Sequence, residues 1–425
     1  MRRMPKKWWM ILLVDFALVL AAYLVFLQPR VQQWAGIRAL QTYTRIKTWL
    51  FPPQNVAFSA QSTPAADVLV TPDSLSTLAA ESTPSPDPRQ PALPAYQLIE
   101  GGMYFSQHNR WNYCGPANLA MLLTYWDWVG THDDVARVIK PNPQDKNVTP
   151  YEMVDFIQFV GLDGLSRVGG DLTILKRLIA NGFPVVVEKG PHFLDIQNKI
   201  TWMGHYQLLN GYDDNKQVFI AQDSYIEANY EQPYEKLLEE WQSFNYTYIV
   251  AFKPHLRNDV LNLLGADAEE DDNYRRALQI AAREAAELSG VGQFFAYYNY
   301  GTNLVALRDY AGAATAYDTA FALYDSLPES SSIRPYRILW YQTGPFYAYY
   351  FTGRYMDVID KATRNSIEMV RDDIPALEES FYWRGMARVK VGDQPGAIED
   401  FYTCLGYHKN FEPCLNALND LGIFP

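Results

Sequence analysis

The apolar and polar positions of this chain change period from region to region. Residues 8–27, WWMILLVDFALVLAAYLVFL, are apolar except for Asp15. At about 1.5 Å per residue such a run spans about 30 Å, the thickness of a bilayer core, and predicts a transmembrane helix. Within residues 29–55 the apolar positions Val31, Trp34, Ile37 and Leu40 recur with basic residues beside them. That spacing fits an amphipathic helix lying on lipid, and equally a plain connecting helix. Residues 56–95 lose all periodicity and become rich in Ser, Thr, Pro and Ala, the texture of an extended linker. Mixed periods return over 96–256. Leu119, Leu122, Leu123 and Trp126 mark a helix beginning near Cys114. Thr131 with Asp134 opens a second helix through a capping-box pattern, and Thr149-Pro150-Tyr151-Glu152 opens a third. A fourth runs over 172–181 and stops at Gly182. Strands are predicted at 184–188, 205–210, 217–221 and 247–252, with a hairpin turn at Asp213-Asp214-Asn215. Helices ahead of an antiparallel sheet indicate an α+β domain.

From residue 270 onward only helical spacing remains. After a helix over 275–288, small residues at Gly301, Ala313 and Ala320 alternate with bulky Leu304, Tyr310 and Tyr317. A looser copy runs from Trp340 and Gly344 through Gly353-Arg354-Tyr355. A third holds Gly385, Gly392-Asp393, Ala397, Phe401 and Cys404, and residues 412–421 predict a capping helix. The spacing resembles tetratricopeptide repeats, which implies an all-α domain over 270–425 with a concave surface for a protein partner. A structural clamp on the preceding domain is the other reading.

Composition narrows the function classes. With 48% hydrophobic and 20% charged residues the chain is not disordered as a whole. Three cysteines exclude a disulfide-rich scaffold and an all-cysteine zinc site. The net charge of −12 argues against a nucleic-acid partner. Residues 1–50 hold eight Lys/Arg against one Asp, so +7 sits there and −19 on the remainder. A basic end on an acidic body points to a membrane surface. Arg2, Arg3, Lys6 and Lys7 ahead of the apolar run favour a cytoplasmic N-terminus, while Arg30, Arg38, Arg45 and Lys47 after it weaken that assignment. A cleavable signal peptide is the rival, but the run is long and no small-x-small site follows. The expectation is a single-pass anchor, residues 1–28, in the cell membrane, with the folded domains outside the cytoplasm. Asp15 within the span is tolerated by its apolar neighbours or pairs with another helix.

The segment Gln107-His108-Asn109-Arg110-Trp111-Asn112-Tyr113-Cys114-Gly115-Pro116-Ala117 carries the candidate chemistry. A thiol reacts as the thiolate, and a helix N-terminus stabilises that anion through its dipole and unpaired N–H groups. Gln107 and the Cys114 backbone N–H are candidate oxyanion donors. A cysteine nucleophile also needs a base. His108 is too near in sequence to place, His132 lies in a helix cap and His192 in a loop. His205 opens an apolar strand in GHYQLLNGYDD, and Asp223 ends the next strand in AQDSY. Two strands joined by a turn would set them side by side, where Asp223 would fix the imidazole. Asn210, on the same strand, is a rival orienting group. No pair of side chains has metal-ligand spacing. Trp111, Tyr113 and Trp202 read as cleft wall or core.

Gln107, Cys114-Gly115-Pro116-Ala117, Gly204-His205-Tyr206 and Asp223 together resemble the C39-like peptidases of the papain-like clan. The resemblance covers about 160 residues, 96–254. It implies a papain-like fold in which Cys114 is the nucleophile, His205 the general base, Asp223 the orienting acid and Gln107 the oxyanion donor. It implies no cofactor and a peptide or protein substrate. Tyr113 stands where many members have Asp or Asn, and Ser224 where many have Pro, so the cleft shape is open. The transporter fusion of the classical members, and their double-glycine leaders, do not carry over. Cys404 and Cys414 are either inert core thiols or a disulfide, with Cys114 then the free thiol. The expected function is a membrane-anchored cysteine peptidase. The alternatives are a catalytically silent recognition module and a thiol acyltransferase.

Overall fold

The computed structural model describes residues 93–108, 110–194, 199–370 and 375–424. The predicted membrane span, the juxtamembrane helix and all but the end of the linker lie outside these residues. Among the described residues no helix is long and apolar enough to cross a membrane.

The first part is a mixed domain built on an antiparallel sheet. Its strands are β1 (Tyr96–Leu98), β2 (Asp163–Arg167), β3 (Val185–Lys189), β6 (His205–Asp213), β7 (Val218–Gln222), β8 (Tyr230–Pro233) and β9 (Tyr248–Phe252). They run in the order β2-β9-β3-β6-β7-β8, with β1 also paired to β6. A separate ribbon pairs β4 (His192–Leu194) with β5 (Ile200–Trp202). Helices cover both faces of the sheet, so β3 and β9 are buried on both sides, β9 as an unbroken apolar run and β3 as three valines followed by the buried Glu188 and Lys189. Val186, Tyr206, Leu208, Ile249 and Ala251 pack on α1 (Cys114–Thr124), α2 (His132–Ile139) and α3 (Pro150–Phe159). The alternate residues Val185, Val187, Val250 and Phe252 pack on α4 (Leu172–Ala180), α5 (Tyr234–Gln242) and α6 (Arg257–Leu264).

The helix starts follow local rules. Thr131 forms the expected capping box and Thr149 forms one as well, with the Asp134 carboxylate accepting from Thr131 N–H at 2.8 Å and the Glu152 carboxylate from Thr149 N–H at 2.7 Å. α4 ends as expected, with Gly182 at φ +87° just beyond it. Strands β1, β2, β4, β5 and β8, and helices α5 and α6, have no counterpart in the sequence reading. His192 lies in strand β4 rather than in a loop.

The second part is helical: α7 (Glu270–Glu287), α8 (Gly290–Ala306), α9 (Tyr310–Ser326), α10 (Ile338–Tyr341), α11 (Gly344–Phe351), α12 (Tyr355–Arg364), α13 (Glu378–Lys390), α14 (Gln394–Tyr407) and α15 (Glu412–Asp420). Two helix pairs close by the same device. A Cβ at Gly301 would meet the Tyr317 ring at 2.9 Å, and one at Gly385 would meet the Phe401 ring at 2.6 Å. In each pair an aspartate caps the second helix, Asp309 accepting from Gly312 N–H and Asp393 from Gly396 N–H. Cys404 and Cys414 are joined in a disulfide between α14 and α15. The two parts share an apolar seam in which Trp202 and Phe244 belong to the core of the helical part. Asn299 and Gln342 cross the seam to donate to the Gln242 and Ser243 carbonyls at 2.7 and 2.6 Å.

Candidate active site

Cys114 is the first residue of α1, so its thiol sits where the helix presents unpaired N–H groups. It is partly exposed, and it is the free cysteine among the described residues. Asn112, two residues earlier, takes a left-handed conformation at φ 55°, which turns the chain into the helix. Tyr113 does not enter the cleft. It is a strut whose hydroxyl donates to Asp133 at 2.8 Å, with its ring edge-on to His132.

His205 opens β6 and is 3% exposed, and Asp223 follows the end of β7 and is fully buried. The hairpin register pairs Leu208 with Gln222, which brings Asp223 level with the start of β6. His205 Nε2 lies 3.0 and 3.1 Å from the two Asp223 carboxylate oxygens. The Cys114 thiol and the His205 imidazole shift each other's protonation, each favouring the other's charged form. Because Nε2 is held by the carboxylate, Nδ1 is the ring nitrogen left free of it. Asp223 also accepts from the backbone N–H groups of Tyr225 and Ile226 at 2.9 and 3.0 Å, and from Gln207 Nε2 at 2.8 Å. The Phe193 ring from β4 stands edge-on to His205 at 5.3 Å and 4.6 Å from the Tyr225 ring, covering the pair.

Asn210 is not the orienting group. It lies five residues further along β6, which is about 17 Å at ~3.4 Å per residue. Its amide is spent on Ile99 and Gln222. His108 and His132 are also elsewhere: His108 is in a turn beside the Tyr225 ring, and His132 packs on Phe105 and Tyr113. Trp111 is 50% exposed, and Trp202 is core.

Gln107 is brought to the site by Ser224. Gln107 N–H donates to the Ser224 carbonyl at 2.8 Å, and Ser224 Oγ donates to Gln107 Oε1 at 2.6 Å. The serine in place of proline thus supplies a hydroxyl that fixes which end of the amide faces away. Asn118, one turn after Cys114, ties these parts together. Its Nδ2 reaches the Cys114 carbonyl at 3.0 Å, the Tyr206 carbonyl at 2.7 Å and Ser224 Oγ at 3.0 Å, and its Oδ1 accepts from Leu208 N–H at 2.9 Å.

The charges follow from this arrangement. Burial pushes the Cys114 thiol up, but the hydrogen bond and charge of His205, with the Tyr206 and Gly115 N–H groups, bring it below its ordinary value. Burial also works against the imidazolium, yet the Asp223 carboxylate and the Cys114 thiolate raise His205 to about 9. Burial pushes Asp223 up, and His205, Lys189 and the Ile226 N–H outweigh it, holding the carboxyl well below the carboxylate range. Both shifts favour a thiolate–imidazolium pair over the neutral pair.

A small cleft opens beside Cys114, between the Lys146–Val148 stretch and the start of β6. Glu188 from β3 and Tyr206 from β6 also line it, and Tyr341 reaches it from α10. A Cβ on Gly204 would sit 3.0 Å from the Tyr341 ring, so the glycine lets that ring lie against the strand beside His205. Asn118, Gln207, Glu188 and Tyr341 were not singled out by the sequence. Asn118 is a polar residue inside an apolar helix and Gln207 shares the His205 side of a strand, so both left a signal. Glu188 and Tyr341 reach the cleft through long-range packing and left none. Among the described residues no group of His, Cys, Asp or Glu side chains is arranged to hold a metal ion.

Residues 101–249 match the model of the Peptidase_C39 like family. Among solved structures, a crystal structure of a Bacillus anthracis protein described as a C39-like peptidase is similar at 18% identity and a TM-score of 0.32. The match covers 37% of this chain and 98% of that one. No curated protein matches. The chain thus holds a mixed α/β peptidase-like domain followed by a helical region.

Proposed function

We propose that the chain is a cysteine peptidase acting through Cys114, His205 and Asp223. One observation carries the reading: a thiol at a helix N-terminus is electrostatically coupled to an imidazole whose Nε2 rests on a buried carboxylate. The Cys114 thiolate attacks the scissile carbonyl carbon. The oxyanion is met by the Cys114 N–H and by Gln107 Nε2, the end of the amide that Ser224 leaves available. The His205 imidazolium gives its Nδ1 proton to the departing amine, leaving a thioester. Water then attacks the thioester, His205 takes its proton, and the acid product leaves. Asp223 holds the ring in position and stabilises the imidazolium in both steps.

Two broader elements belong to the same proposal. Residues 8–27 anchor the chain in the cell membrane with the peptidase-like domain outside the cytoplasm, supported by the length of the apolar run and its basic flank. The helical region is built of tetratricopeptide-like repeats that present a surface to substrate or partner. The shared Gly–aromatic and Asp-cap devices of two helix pairs support the repeat. The apolar seam at Trp202 and Phe244 favours a second role, a clamp that braces the cleft.

The test incubates the full-length chain and its Cys114→Ala and His205→Ala variants with a peptide mixture and reads products by mass spectrometry. New free carboxyl and amino termini that vanish in both variants are expected. Amide-linked products would make the chain an acyltransferase. No product, with a Cys114 thiol no more reactive towards iodoacetamide than free cysteine, would overturn the enzymatic reading in favour of recognition.

A further inference from the structure

Asn118 is a fully buried polar residue inside the apolar helix α1, one turn after Cys114. A buried amide is tolerated only when its hydrogen-bonding groups are satisfied. β7 pairs with β6 no further towards His205 than Leu208 opposite Gln222, and beyond that point the Asn118 amide takes the place of a strand. Its Oδ1 accepts from the Leu208 N–H at 2.9 Å and its Nδ2 donates to the Tyr206 carbonyl at 2.7 Å. A backbone N–H can only donate and a carbonyl can only accept, so these two contacts fix which end of the amide is which. The same Nδ2 lies 3.0 Å from Ser224 Oγ. An amide nitrogen accepts no hydrogen bond, so the Ser224 hydrogen does not point back at Asn118. Ser224 is fully buried, out of reach of water. Among the described residues the acceptor for its hydrogen is Gln107 Oε1, at 2.6 Å.

We propose that Asn118 is the positioning residue that sets the polarity of the oxyanion site: oriented by the β6 backbone, its amide donates to Ser224, Ser224 donates to Gln107 Oε1, and Gln107 is left with Nε2 towards the substrate oxygen. The two ends of a glutamine amide are nearly alike in shape, and a hydroxyl can meet either, because it both donates and accepts. Gln107 therefore does not choose its own orientation. With Oε1 turned into the site, a lone pair would face the developing oxyanion in place of a donor. The choice is made at Leu208 and Tyr206, backbone groups of the strand that carries His205, and reaches Gln107 through two side chains. Asn118 Nδ2 also reaches the Cys114 carbonyl at 3.0 Å, its two hydrogens being divided among three acceptors. One side chain thus joins the helix of the nucleophile, the strand of the base and the oxyanion donor.

This inference rests on the proposed peptidase reading for its effect on the reaction, but the direction of the hydrogen bonds can be read without any reaction. In the full-length chain, isotope-labelled on glutamine, the Gln107 side-chain amide is identified in the NMR spectrum by its loss in Gln107→Glu. Its hydrogens should exchange with solvent about tenfold faster in wild type than in Asn118→Asp. In either protonation state the aspartate has no hydrogen for Ser224 once Tyr206 is served, so Ser224 donates to it and Gln107 turns Nε2 towards the hydroxyl. A second readout uses N-acetylalaninal. The Cys114 sulfur bonds to the aldehyde carbon, the carbonyl π pair moves to oxygen, and the proton of the Cys–His pair follows it. The hemithioacetal oxygen tests the oxyanion site, whereas alkylation by iodoacetamide reads the thiolate alone. The ratio of aldehyde affinity to alkylation rate should fall by about 10²-fold in Asn118→Asp. It should fall by about tenfold in Asn118→Ala, which withdraws the donor without supplying an acceptor and serves if the aspartate variant does not fold. In a Ser224→Ala background Asn118→Asp should lower the ratio by less than about threefold, because both act through one hydroxyl. Gln107 hydrogens already protected in free wild type, or effects at 118 and 224 that add, would overturn the assignment. Alkylation that is slow in wild type and indifferent to His205→Ala would instead refute the peptidase reading and leave the exchange measurement to decide the role of Asn118.

Discussion

Asp223→Asn isolates the charge that the site depends on. The substitution keeps the shape and one acceptor oxygen and removes the negative charge facing His205 Nε2. The rise of His205 from 6.5 to about 9 corresponds to about 3 kcal/mol favouring the imidazolium, at roughly 1.4 kcal/mol per pH unit. Without the carboxylate, burial is left as the largest influence on the ring and carries it below 6.5, so His205 is neutral at pH 7. Cys114 then loses the imidazolium that offsets its own burial and returns to or above the ordinary thiol range. Thiolate at pH 7 should fall by about 10²-fold, read as the second-order rate of iodoacetamide alkylation at Cys114. Stability carries a matching signature. A folded-state pKa raised above the unfolded value contributes stability that is complete below about 6.5 and is lost as pH rises through about 9. The cost of Asp223→Asn in urea unfolding should therefore be about 3 kcal/mol greater at pH 6 than at pH 10, with the hydrogen bonds from Gln207, Tyr225 and Ile226 contributing at both. An alkaline limb still near 9 in the variant, or a cost independent of pH, would refute the argument.

Ser224→Ala removes the hydroxyl that holds Gln107 Oε1 and touches neither the thiol nor the imidazole. Turnover on a peptide identified as substrate should fall by about tenfold with KM nearly unchanged, while the pH profile of Cys114 alkylation stays as in wild type. The paired substitution Cys404→Ala/Cys414→Ala opens a covalent loop between residues ten apart in the chain. It should lower the unfolding free energy of the helical region by roughly 2–3 kcal/mol, read by urea unfolding, and leave Cys114 reactivity unchanged.

The cleft is not the property of the peptidase-like domain alone. Tyr341 comes from the helical region, its carbonyl accepts from Asn147 Nδ2 at 3.4 Å, and its ring packs on Trp202 and Phe244. Tyr206 and Gln207 show how neighbouring residues of one strand divide the work. Tyr206 faces α1 and braces the cleft wall, and Gln207, on the other side, fixes the carboxylate behind the imidazole.

Much of this protein was determined by its sequence alone, wherever the cause is local. The capping boxes at Thr131 and Thr149 join groups three residues apart, and each helix starts where the pattern places it. The hairpin turn after Asp213 sets β6 against β7, while the register shift between Leu209 and Gly211, which the sequence did not show, is what puts Asp223 on the His205 side. Cys114 begins α1 because an apolar helical period follows it. Strands such as β2 and β8 were hidden because DGLSR and YEQP have no period of their own and exist through the strands beside them. The exclusion of Asn210 and the anchoring of Gln107 by Ser224 needed the tertiary structure. Each depends on what lies across the fold: which polar atoms meet, how completely water is removed from them, and which neighbour takes the one hydrogen a hydroxyl has to give.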